Sequence, residues 1–329
     1  MQRAFVTGGS GFVGRSLLET LRTASVPTIA LARSDAAAAV CAGRGARVVR
    51  GDLDALEDMT AAMTGCDVVF HCAAHVGEWD APAVFERVNV TGTANVLAAA
   101  IRAGVTRLVH VSTEAVLVGG PPIVRVDETR PLPDHPPAMY PASKGAAERL
   151  LRAANDRMDV VIVRPRFIWG VGDTSVLPLL MAAVRDGRFR WISGGRYKTS
   201  TCHVNNVVEG MLLAAERGRR GETYFLTDGE PLEFRAFVGE MLTLHGLNPG
   251  DGTLPHGVAA AIASVGEAVA RVRGYRWKPP LTRVGLKLMG EEVTVVDRKA
   301  RTELGYVART SPEEGLAEMR RSLKNTVQL

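Results

Sequence analysis

Residues 7–14 read TGGSGFVG, between the apolar run AFVT at residues 4–7 and the segment RSLLETLRTA at residues 15–24. Glycine costs conformational entropy wherever it is placed, so four glycines in eight positions need a specific reason. A glycine-rich turn between a strand and a helix is typical of a βαβ unit that binds a dinucleotide. Backbone N–H groups at the start of such a helix face the pyrophosphate. We therefore predict a dinucleotide site, and two glycine frames fit it, one through Gly9 and one through Gly8.

The first half of the chain alternates β-branched runs with Ala- and Leu-rich segments at helical spacing. The predicted strands are AFVTGG, PTIALA, ARVVRGD, DVVFHCAA, RLVHVST and VVIVRPRF. This alternation predicts an α/β fold with a doubly wound parallel sheet, the Rossmann architecture. After residue 165 the alternation stops, and TYFLTD within residues 221–228 reads as one returning strand. We predict a nucleotide-binding domain over residues 1–165 and a smaller, discontinuous lobe, mainly for substrate, over residues 166–329.

Composition is that of an ordinary globular protein, with 329 residues, 46% of them hydrophobic, and a formal net charge of +5. The basic residues are scattered and lack an aromatic-rich strip, so nucleic acid is not a predicted partner. The four cysteines show no C-x-x-C spacing, which indicates free thiols in a reducing cytoplasm and no metal site. MQRAFVTGG lacks a signal-peptide core, and no apolar stretch is long enough to predict a membrane span.

The end of the second predicted strand indicates which dinucleotide binds. An acid about 20 residues after the glycine turn holds the ribose 2′-hydroxyl, whereas an arginine accommodates a 2′-phosphate. Nineteen residues after Gly14 stands Arg33, followed by Ser34, and Asp35 is predicted to cap the next helix. Arg33 and Ser34 therefore predict NADP. An arginine on a solvated turn is the alternative, and it leaves NAD open.

Two further strand ends are candidates for cofactor contact. Asp52, in RGDL, closes the third strand, where a side chain can reach the adenine amino group; an ordinary turn-forming aspartate is the alternative. Ala73 and Ala74, in HCAAH, close the fourth strand with small side chains that let a flat ligand pass close to the backbone. Simple helix–sheet packing is the alternative there.

The sharpest chemical signal is YPASK at residues 140–144, with Ser112 and Thr113 at the end of the fifth predicted strand. On a helix, Tyr140 and Lys144 lie on one face about one turn apart. A free phenol has a pKa of about 10, too high for acid–base work at neutral pH. The Lys144 ammonium, with a positive nicotinamide nearby, would stabilise the phenolate and lower that pKa. Thr113 or Ser112 would hold the substrate oxygen. A surface role for Tyr140 is the alternative.

Taken together, TGGSGFVG, HCAA, NVTGTANVL, VHVST, YPASK and VRPRFIWG resemble the extended short-chain dehydrogenase/reductase superfamily, in order through residues 4–170. The resemblance implies the glycine frame through Gly8, Tyr140 as acid/base, Lys144 on the nicotinamide ribose and Thr113 as the catalytic hydroxyl, with Ser112 beside it. It also implies a homodimer through helices that begin near residues 85 and 141. The predicted cofactor site comprises Thr7, Gly8, Gly11, Phe12, Val13, Gly14, Arg33, Ser34, Asp52, Leu53, Ala73, Ala74, Tyr140, Lys144 and Pro165.

The second half narrows the resemblance to the 3β-hydroxysteroid dehydrogenase and sterol-4α-carboxylate dehydrogenase branch. TYFLTDGEPLEFRAFVGEML, KPPLTR and DRKARTELGY resemble that branch, and so does HVNNVVEG, although Asn205 and Asn206 replace two acids of the motif. The resemblance implies interconversion of a secondary alcohol and a ketone on a hydrophobic, sterol-like or polyketide-like substrate. Arg33 departs from the aspartate common in the steroid oxidisers of the branch, and it favours a reductase.

Two other functions stay open. A nucleotide-sugar epimerase or dehydratase would use the same scaffold with tightly bound NAD(P). The dehydratase form usually carries an Asp-Glu pair after the catalytic threonine, where this chain has Glu114 followed by alanine. A non-catalytic NADP-sensing protein typically lacks Tyr or Lys of the motif, and this chain keeps both. The arginines that could bind a sugar-nucleotide pyrophosphate are Arg166, Arg188, Arg190 and Arg196.

The segment GVAAAIASVGEAVARV at residues 257–272 is apolar and is followed by basic residues. Glu267 and Arg271 interrupt it, and its length is short of a membrane span. We predict that it packs internally. A helix that rests on a membrane surface, or that covers an apolar pocket, is the alternative.

Overall fold

A computed structural model describes residues 1–77 and 79–327. The helices are α1 (Phe12–Thr23), α2 (Asp35–Ala42), α3 (Leu56–Met63), α4 (Pro82–Phe85), α5 (Gly92–Arg102), α6 (Met139–Ala153), α7 (Val176–Arg185), α8 (Val204–Arg217), α9 (Phe234–Leu244), α10 (His256–Val272), α11 (Arg283–Met289) and α12 (Pro312–Val327). The strands are β1 (Ala4–Thr7), β2 (Thr28–Ala32), β3 (Arg47–Arg50), β4 (Val68–His71), β5 (Arg107–Val111), β6 (Asp159–Pro165), β7 (Ile168–Trp169), β8 (Trp191–Ile192), β9 (Lys198–Thr199), β10 (Cys202–His203), β11 (Thr223–Leu226), β12 (Leu232–Glu233) and β13 (Thr253–Leu254).

The main sheet has seven parallel strands in the order β11-β6-β5-β4-β1-β2-β3. The predicted doubly wound architecture is therefore confirmed. The chain runs from β1 outward to β3 and then returns to the other side of β1 as β4, so the strand order reverses between β1 and β4. A crevice opens at such a switch point, beyond the carboxyl ends of the strands, and ligands bind there. The glycine turn after β1 and the HCAAH segment after β4 flank this crevice.

Both faces of the sheet are covered, which explains why the strands read as nearly continuous apolar runs. On one face α1 and α8 bury Leu17, Leu18 and Met211 against the sheet. On the other face α3, α5 and α6 bury residues such as Met59 and Val96. Because both faces are buried, the ends of the strands are held in place. Functional side chains at those ends are therefore held in fixed positions.

The second half of the chain contributes to both parts of the molecule. Thr223 of β11 pairs with Ile162 of β6, so the TYFLTD segment joins the edge of the main sheet. The helix α8 also packs on this sheet. The remaining elements surround a separate aromatic cluster that includes Trp169, Trp191 and Phe237. The division of the chain at residue 165 stays a prediction.

The apolar segment near residue 257 forms α10, which lies with one side against α11 and exposes the other. Ala259, Ala263 and Gly266 are on the buried side. The exposed side carries large aliphatic residues at three- and four-residue spacing, namely Val258, Ile262, Val265, Val269 and Val272. The prediction that this segment packs internally is therefore confirmed for only one side of α10. No helix within the described residues is long and apolar enough to cross a membrane.

Candidate active site

The glycine turn between β1 and α1 is shaped by backbone contacts. Gly8 has a φ of +70°, and a Cβ there would lie 2.6 Å from the Ala73 backbone nitrogen. A Cβ on Gly14 would lie 2.1 Å from the Gly8 carbonyl oxygen. A Cβ on Gly9 would meet only side-chain atoms, the Cys41 sulfur and a Leu18 methyl group, each at 3.0 Å. The close backbone approaches therefore favour the frame through Gly8 and Gly14.

This turn fits a pyrophosphate. Gly11 is the N-cap of α1 and makes no side-chain capping bond, and the first turn, which includes Phe12 and Val13, contains no acid. The N–H groups of that turn and the positive end of the helix dipole are therefore available to an anion. Below the turn, the Thr7 hydroxyl lies 2.7 Å from His71 Nδ1 and accepts a hydrogen bond from the Ala73 N–H at 3.3 Å. Thr7 thus joins the two sides of the crevice.

The adenosine end of the crevice is basic. Arg33 follows β2 and is exposed. The Ser34 hydroxyl accepts a hydrogen bond from the Ala37 N–H at 3.2 Å, so Ser34 caps α2. The prediction that Asp35 caps this helix is wrong, because Asp35 is its first residue. Sequence reasoning missed Arg50, which pairs in register with Ala32 and lies 3.2 Å from the Asp35 carboxylate. Two arginines therefore lie at the carboxyl ends of β2 and β3, one of them beside Asp35.

One oxygen of the Asp52 carboxylate forms a hydrogen bond within its own turn. Its Oδ1 accepts a hydrogen bond from the Leu53 N–H at 2.8 Å, and its Oδ2 lies 3.9 Å from Arg87. Leu53 is buried, and its carbonyl accepts a hydrogen bond from Asn95 at 3.0 Å. These contacts fix the backbone at the end of β3. Contact of Asp52 with adenine stays a prediction.

Ser112 and Thr113 follow β5 and have different environments. Ser112 Oγ donates to Glu148 at 2.5 Å, and Arg164 holds the same carboxylate at 2.5 and 2.8 Å. Ser112 is thus committed to a buried ion pair. Thr113 caps a short 3₁₀ turn by accepting a hydrogen bond from the Ala115 N–H at 3.2 Å. The Thr113 hydroxyl also forms a hydrogen bond with Tyr140. Of these two hydroxyls, it is therefore Thr113 that contacts Tyr140.

Tyr140 lies in the first turn of α6, which begins four residues before the helix predicted from SKGAAERLLRAAN. Pro141 fits there because the first N–H groups of a helix have no intrahelical partner. Burial raises the pKa of the Tyr140 phenol, and the Glu114 carboxylate raises it further, while the bond to Thr113 acts in the opposite direction. The net effect is a raised pKa of Tyr140 in the protein alone. We expect the opposite effect, a lowered pKa, from Lys144 together with a positive nicotinamide. In the protein alone, Tyr140 is a protonated phenol at neutral pH.

Lys144 lies one turn further along α6 and is 2% exposed. Its ammonium donates to the Val111 carbonyl at 2.8 Å and lies 3.0 Å from His110 Nε2. Burial lowers the pKa of Lys144 to about 8, although Glu148 and the Cys72 thiol oppose that shift. Lys144 therefore stays charged at neutral pH, and it lies between the ends of β4 and β5 close to the crevice.

Two buried histidines support this arrangement, and sequence reasoning missed them. His71 and His110 are register partners on β4 and β5, with ring centroids 5.1 Å apart. His71 Nε2 lies 2.9 Å from the Thr93 hydroxyl. Burial lowers the pKa of His71 to about 3 and lowers that of His110 well below its ordinary value, with Lys144 adding to both shifts. Both imidazoles are therefore neutral in the folded protein.

Acidification is expected to destabilise the protein through these two histidines. The unfolded chain binds protons as the pH falls through about 6.5, whereas the folded chain does not, so stability is complete above that pH and declines below it. Between pH 6.5 and 5 the loss is roughly 2 kcal/mol for His71, and His110 adds a loss of the same sign. Urea unfolding at several pH values measures this slope. Exposed His135 provides the control, because His135→Gln should leave the dependence of stability on pH unchanged. A wild-type free energy of unfolding that stays constant between pH 6.5 and 5 would contradict the prediction.

Asn89 joins the HCAAH segment to α6. It lies in a π-helical turn, Glu86–Thr91, just before α5. Its Oδ1 accepts from the His75 N–H at 2.7 Å, and its Nδ2 donates to the His75 carbonyl and to Ser143 Oγ, both at 3.0 Å. Ser143 in turn donates to the Tyr140 carbonyl at 3.0 Å. The crevice wall and the turn that carries Tyr140 are therefore held together. Asn89 is the first residue of NVTGTANVL, one of the stretches that carry the superfamily resemblance, so the sequence did offer a reason to consider it.

The four arginines considered for a sugar-nucleotide pyrophosphate have different environments. Arg166 is 3% exposed and bonds Glu114 at 3.0 Å, so its charge is already matched. The other three, Arg188, Arg190 and Arg196, are exposed.

Sequence comparison identifies the family. The 3-beta hydroxysteroid dehydrogenase/isomerase family model matches residues 5–256. The chain belongs to this family. It is 49% identical to 4-hydroxy-2-methyl-3-oxo-4-farnesyl-3,4-dihydroquinoline-1-oxide ketoreductase from Stigmatella aurantiaca, over 97% of this chain and 96% of the relative. It is 30% identical to the decarboxylating sterol-4-alpha-carboxylate 3-dehydrogenase from Dictyostelium discoideum, over 97% of this chain and 100% of the relative.

Structure comparison agrees with this family assignment. A double mutant of dTDP-glucose 4,6-dehydratase from Streptomyces venezuelae, solved with NAD bound, superposes with a TM-score of 0.77 and is 26% identical. The alignment covers 99% of this chain and 98% of the dehydratase. The predicted resemblance to the short-chain dehydrogenase/reductase superfamily is confirmed. This member of the 3-beta hydroxysteroid dehydrogenase/isomerase family is an oxidoreductase.

Proposed function

We propose that this chain is an NADP-dependent ketoreductase that reduces a ketone on a hydrophobic substrate, such as a prenylated aromatic ring, a sterol or a long acyl chain. The observation that carries the proposal is the protonated Tyr140 phenol, hydrogen-bonded to Thr113 and one helical turn from Lys144, at the crevice beside the glycine turn. The names of the relatives, a ketoreductase and a sterol dehydrogenase, support the reaction class and the apolar substrate.

The residues of the crevice fit a nicotinamide dinucleotide. Gly8, Gly11 and Gly14 would hold the pyrophosphate at the start of α1, where a side chain on Gly8 or Gly14 would collide with backbone. Arg33 and Arg50 would face a 2′-phosphate. Ala73, Ala74 and Pro165 would line the path toward the reacting ring. When bound, the reduced nicotinamide supplies a hydride to the carbonyl carbon.

The protein supplies the proton for the carbonyl oxygen and the positive charge that stabilises the phenolate. Tyr140 is a protonated phenol at neutral pH, and it can donate that proton to the carbonyl oxygen. Thr113 holds that oxygen in place. The Lys144 ammonium, fixed by the Val111 carbonyl, stabilises the phenolate that remains after proton transfer. The protonated phenol is the form of Tyr140 that acts as the acid when a ketone is reduced.

The end of α10 and the segment after it contact the loop that follows β4. Trp79, in the loop after β4, lies with its ring centroid 5.5 Å from that of Tyr275, and the Arg271 guanidinium lies 5.7 Å from the Trp79 ring. These contacts hold the end of α10 against the loop that flanks the catalytic residues. An apolar substrate would enter beneath this cover. A cytoplasmic location and a homodimer through the helices near residues 85 and 141 stay predictions.

The test is turnover by the purified protein with NADPH or NADH and a panel of substrates. The panel contains a prenylated aromatic ketone, a long-chain 3-keto acid, a 3-keto sterol and dTDP- and UDP-sugars. NADPH consumption in a one-to-one ratio with a hydrophobic ketone supports the proposal. Turnover of a nucleotide sugar with no net change in cofactor would replace it with an epimerase or dehydratase function.

Arg33→Asp is expected to shift cofactor preference from NADPH toward NADH. A carboxylate repels a 2′-phosphate and accepts a hydrogen bond from a 2′-hydroxyl, so the Kd for NADPH should rise roughly 10- to 100-fold. Fluorescence titration with each cofactor measures the change. Arg47→Asp is the matched control, because Arg47 is exposed at the opposite end of β3. An unchanged NADPH affinity in Arg33→Asp would show that Arg33 does not contact the 2′ position.

A further inference from the structure

The apolar side chains of α10 are arranged in the reverse of the usual order. A surface helix normally turns its large apolar residues toward the protein. Apart from Glu267, the buried residues of α10 are small, namely Ala259, Ala263, Gly266 and Ala270. The exposed residues Val258, Ile262, Val265, Val269 and Val272 form what we call the apolar row, and within it Val265 is 64% and Val272 is 90% exposed. A continuous exposed apolar surface marks a site of contact with a partner or a membrane.

Buried contacts hold this apolar row outward. Glu267 Oε1 accepts a hydrogen bond from the Arg283 N–H at 2.7 Å, and Oε2 accepts from the Arg271 and Arg283 guanidinium groups, each at 2.8 Å. On the same side, a Cβ on Gly266 would lie 3.2 Å from Pro279 Cβ, so α10 packs closely on the segment after it. A rotation that turned the row inward would leave the Glu267 carboxylate without its partners, which is strongly unfavourable. The row is therefore a fixed feature of the surface.

The chain around the apolar row is basic. Residues 252–290 contain six Lys or Arg residues and a single acid, Glu267, which is buried. Four large exposed residues directly follow the row, namely Arg273, Arg276, Trp277 and Lys278. Basic side chains bind the phosphates of anionic lipids, and tryptophan is enriched at the boundary between lipid and water. The charge beside the row therefore complements an anionic lipid surface.

The apolar row fits a lipid surface better than a second copy of this chain. A stable contact between proteins buries about 800 Å² per partner and uses about 20 residues a side, whereas the row has five short side chains. In a two-fold contact each copy presents the same patch, so basic residues would meet with no exposed acid from residues 252–290 beside them. A helix that lies in a membrane interface needs only an apolar face and basic residues at its border.

We propose that the apolar row of α10, with the basic residues after it, docks this protein on the surface of an anionic phospholipid bilayer. The valine and isoleucine side chains enter the boundary between headgroups and acyl chains, and Arg273, Arg276 and Lys278 pair with lipid phosphates. The same end of α10 contacts the loop after β4 through Tyr275 and Trp79, so a docked protein holds that loop near the lipid. This docking goes beyond the ketoreductase function and does not depend on it.

Co-sedimentation with vesicles tests the proposal, with purified protein and neither substrate nor cofactor. We expect binding to vesicles of equal parts phosphatidylcholine and phosphatidylglycerol, and weaker binding to phosphatidylcholine alone. The triple variant Arg273→Gln/Arg276→Gln/Lys278→Gln should lower the partition coefficient on the anionic vesicles roughly 100-fold, since each basic residue at such a surface contributes about fivefold. On vesicles of phosphatidylcholine alone this variant should bind as the wild type does.

Val265→Ser/Val272→Ser tests the apolar row itself. Serine and valine have similar helix propensities, so α10 should stay folded, and circular dichroism checks this. The partition coefficient on anionic vesicles should fall roughly tenfold, because two apolar side chains no longer enter the lipid. Val124→Ser/Val307→Ser is the matched control, because both valines are exposed and lie outside α10. This control should bind vesicles as the wild type does.

Three results would overturn the proposal. The first is a wild-type protein that does not sediment with the anionic vesicles. The second is vesicle binding that neither the triple glutamine variant nor Val265→Ser/Val272→Ser weakens, since binding would then use another surface. The third is a wild-type dimer that Val265→Ser/Val272→Ser converts to a monomer in sedimentation velocity, with no vesicle binding by either protein. In that case the row would be a contact between two copies of the chain.

Discussion

Tyr140→Phe is expected to reduce the rate of ketone reduction by about 10³-fold, the scale of general acid catalysis by one side chain. Phenylalanine keeps the ring in the first turn of α6 but removes the only proton donor that we place on the carbonyl oxygen. The loss should appear in kcat, measured from NADPH consumption with saturating ketone. The Kd for NADPH should change little, because the glycine turn and Arg33 make the proposed cofactor contacts.

Tyr224→Phe is the control for removing a buried phenol oxygen. Tyr224 lies on β11, and its hydroxyl bonds Glu303 at 3.0 Å and the Arg219 N–H at 3.1 Å, on the sheet edge away from the proposed site. This variant should keep its catalytic rate, with at most a modest loss of stability. Activity within a few-fold of wild type in Tyr140→Phe would refute the role of Tyr140, whichever substrate is used.

The sheet could be predicted from sequence because strands buried on both faces must be apolar along their whole length. VVFH and RLVHV show this directly, and each gave the correct strand. Two motifs of fixed spacing also located elements of the site, since TGGSGFVG follows β1 and YPASK lies at the start of α6. The start of α6 was harder to predict, because Pro141 lies inside the helix and suggests a break unless its position in the first turn is known.

The buried ion pair at the site could not be predicted, because its partners are far apart in sequence. Glu114 and Arg166 are 52 positions apart, and they meet only because β5 and β6 are adjacent in the sheet. The contact between His110 and Lys144 likewise depends on which face of β5 packs against α6. The raised pKa of Tyr140 in the protein alone could not be predicted for the same reason, because the sequence shows the spacing of Lys144 but not the burial of the phenol or the proximity of Glu114.

Gly14→Ala is expected to weaken NADPH binding by about 100-fold, the scale of losing one or two hydrogen bonds to a charged pyrophosphate. A Cβ on residue 14 would lie 2.1 Å from the Gly8 carbonyl oxygen and 2.8 Å from Gly9 Cα. These are backbone atoms, so no side-chain rotation relieves the collision, and the turn must open. The N–H groups of α1 would then no longer converge on the pyrophosphate. Calorimetric titration with NADPH measures the loss, and a thermal melt shows that the variant is folded.

Gly9→Ala distinguishes the two glycine frames. A Cβ on residue 9 would lie 3.0 Å from the Cys41 sulfur and from a Leu18 methyl group, and these side-chain ends can move by a few tenths of an ångström. NADPH affinity should therefore stay within a few-fold of wild type. If Gly9→Ala abolished binding while Gly14→Ala retained it, the frame through Gly8 and Gly14 would be wrong. Equal losses in both variants would mean that the turn responds to any added volume, and the backbone contact between Gly8 and Gly14 would not be the feature that shapes the site.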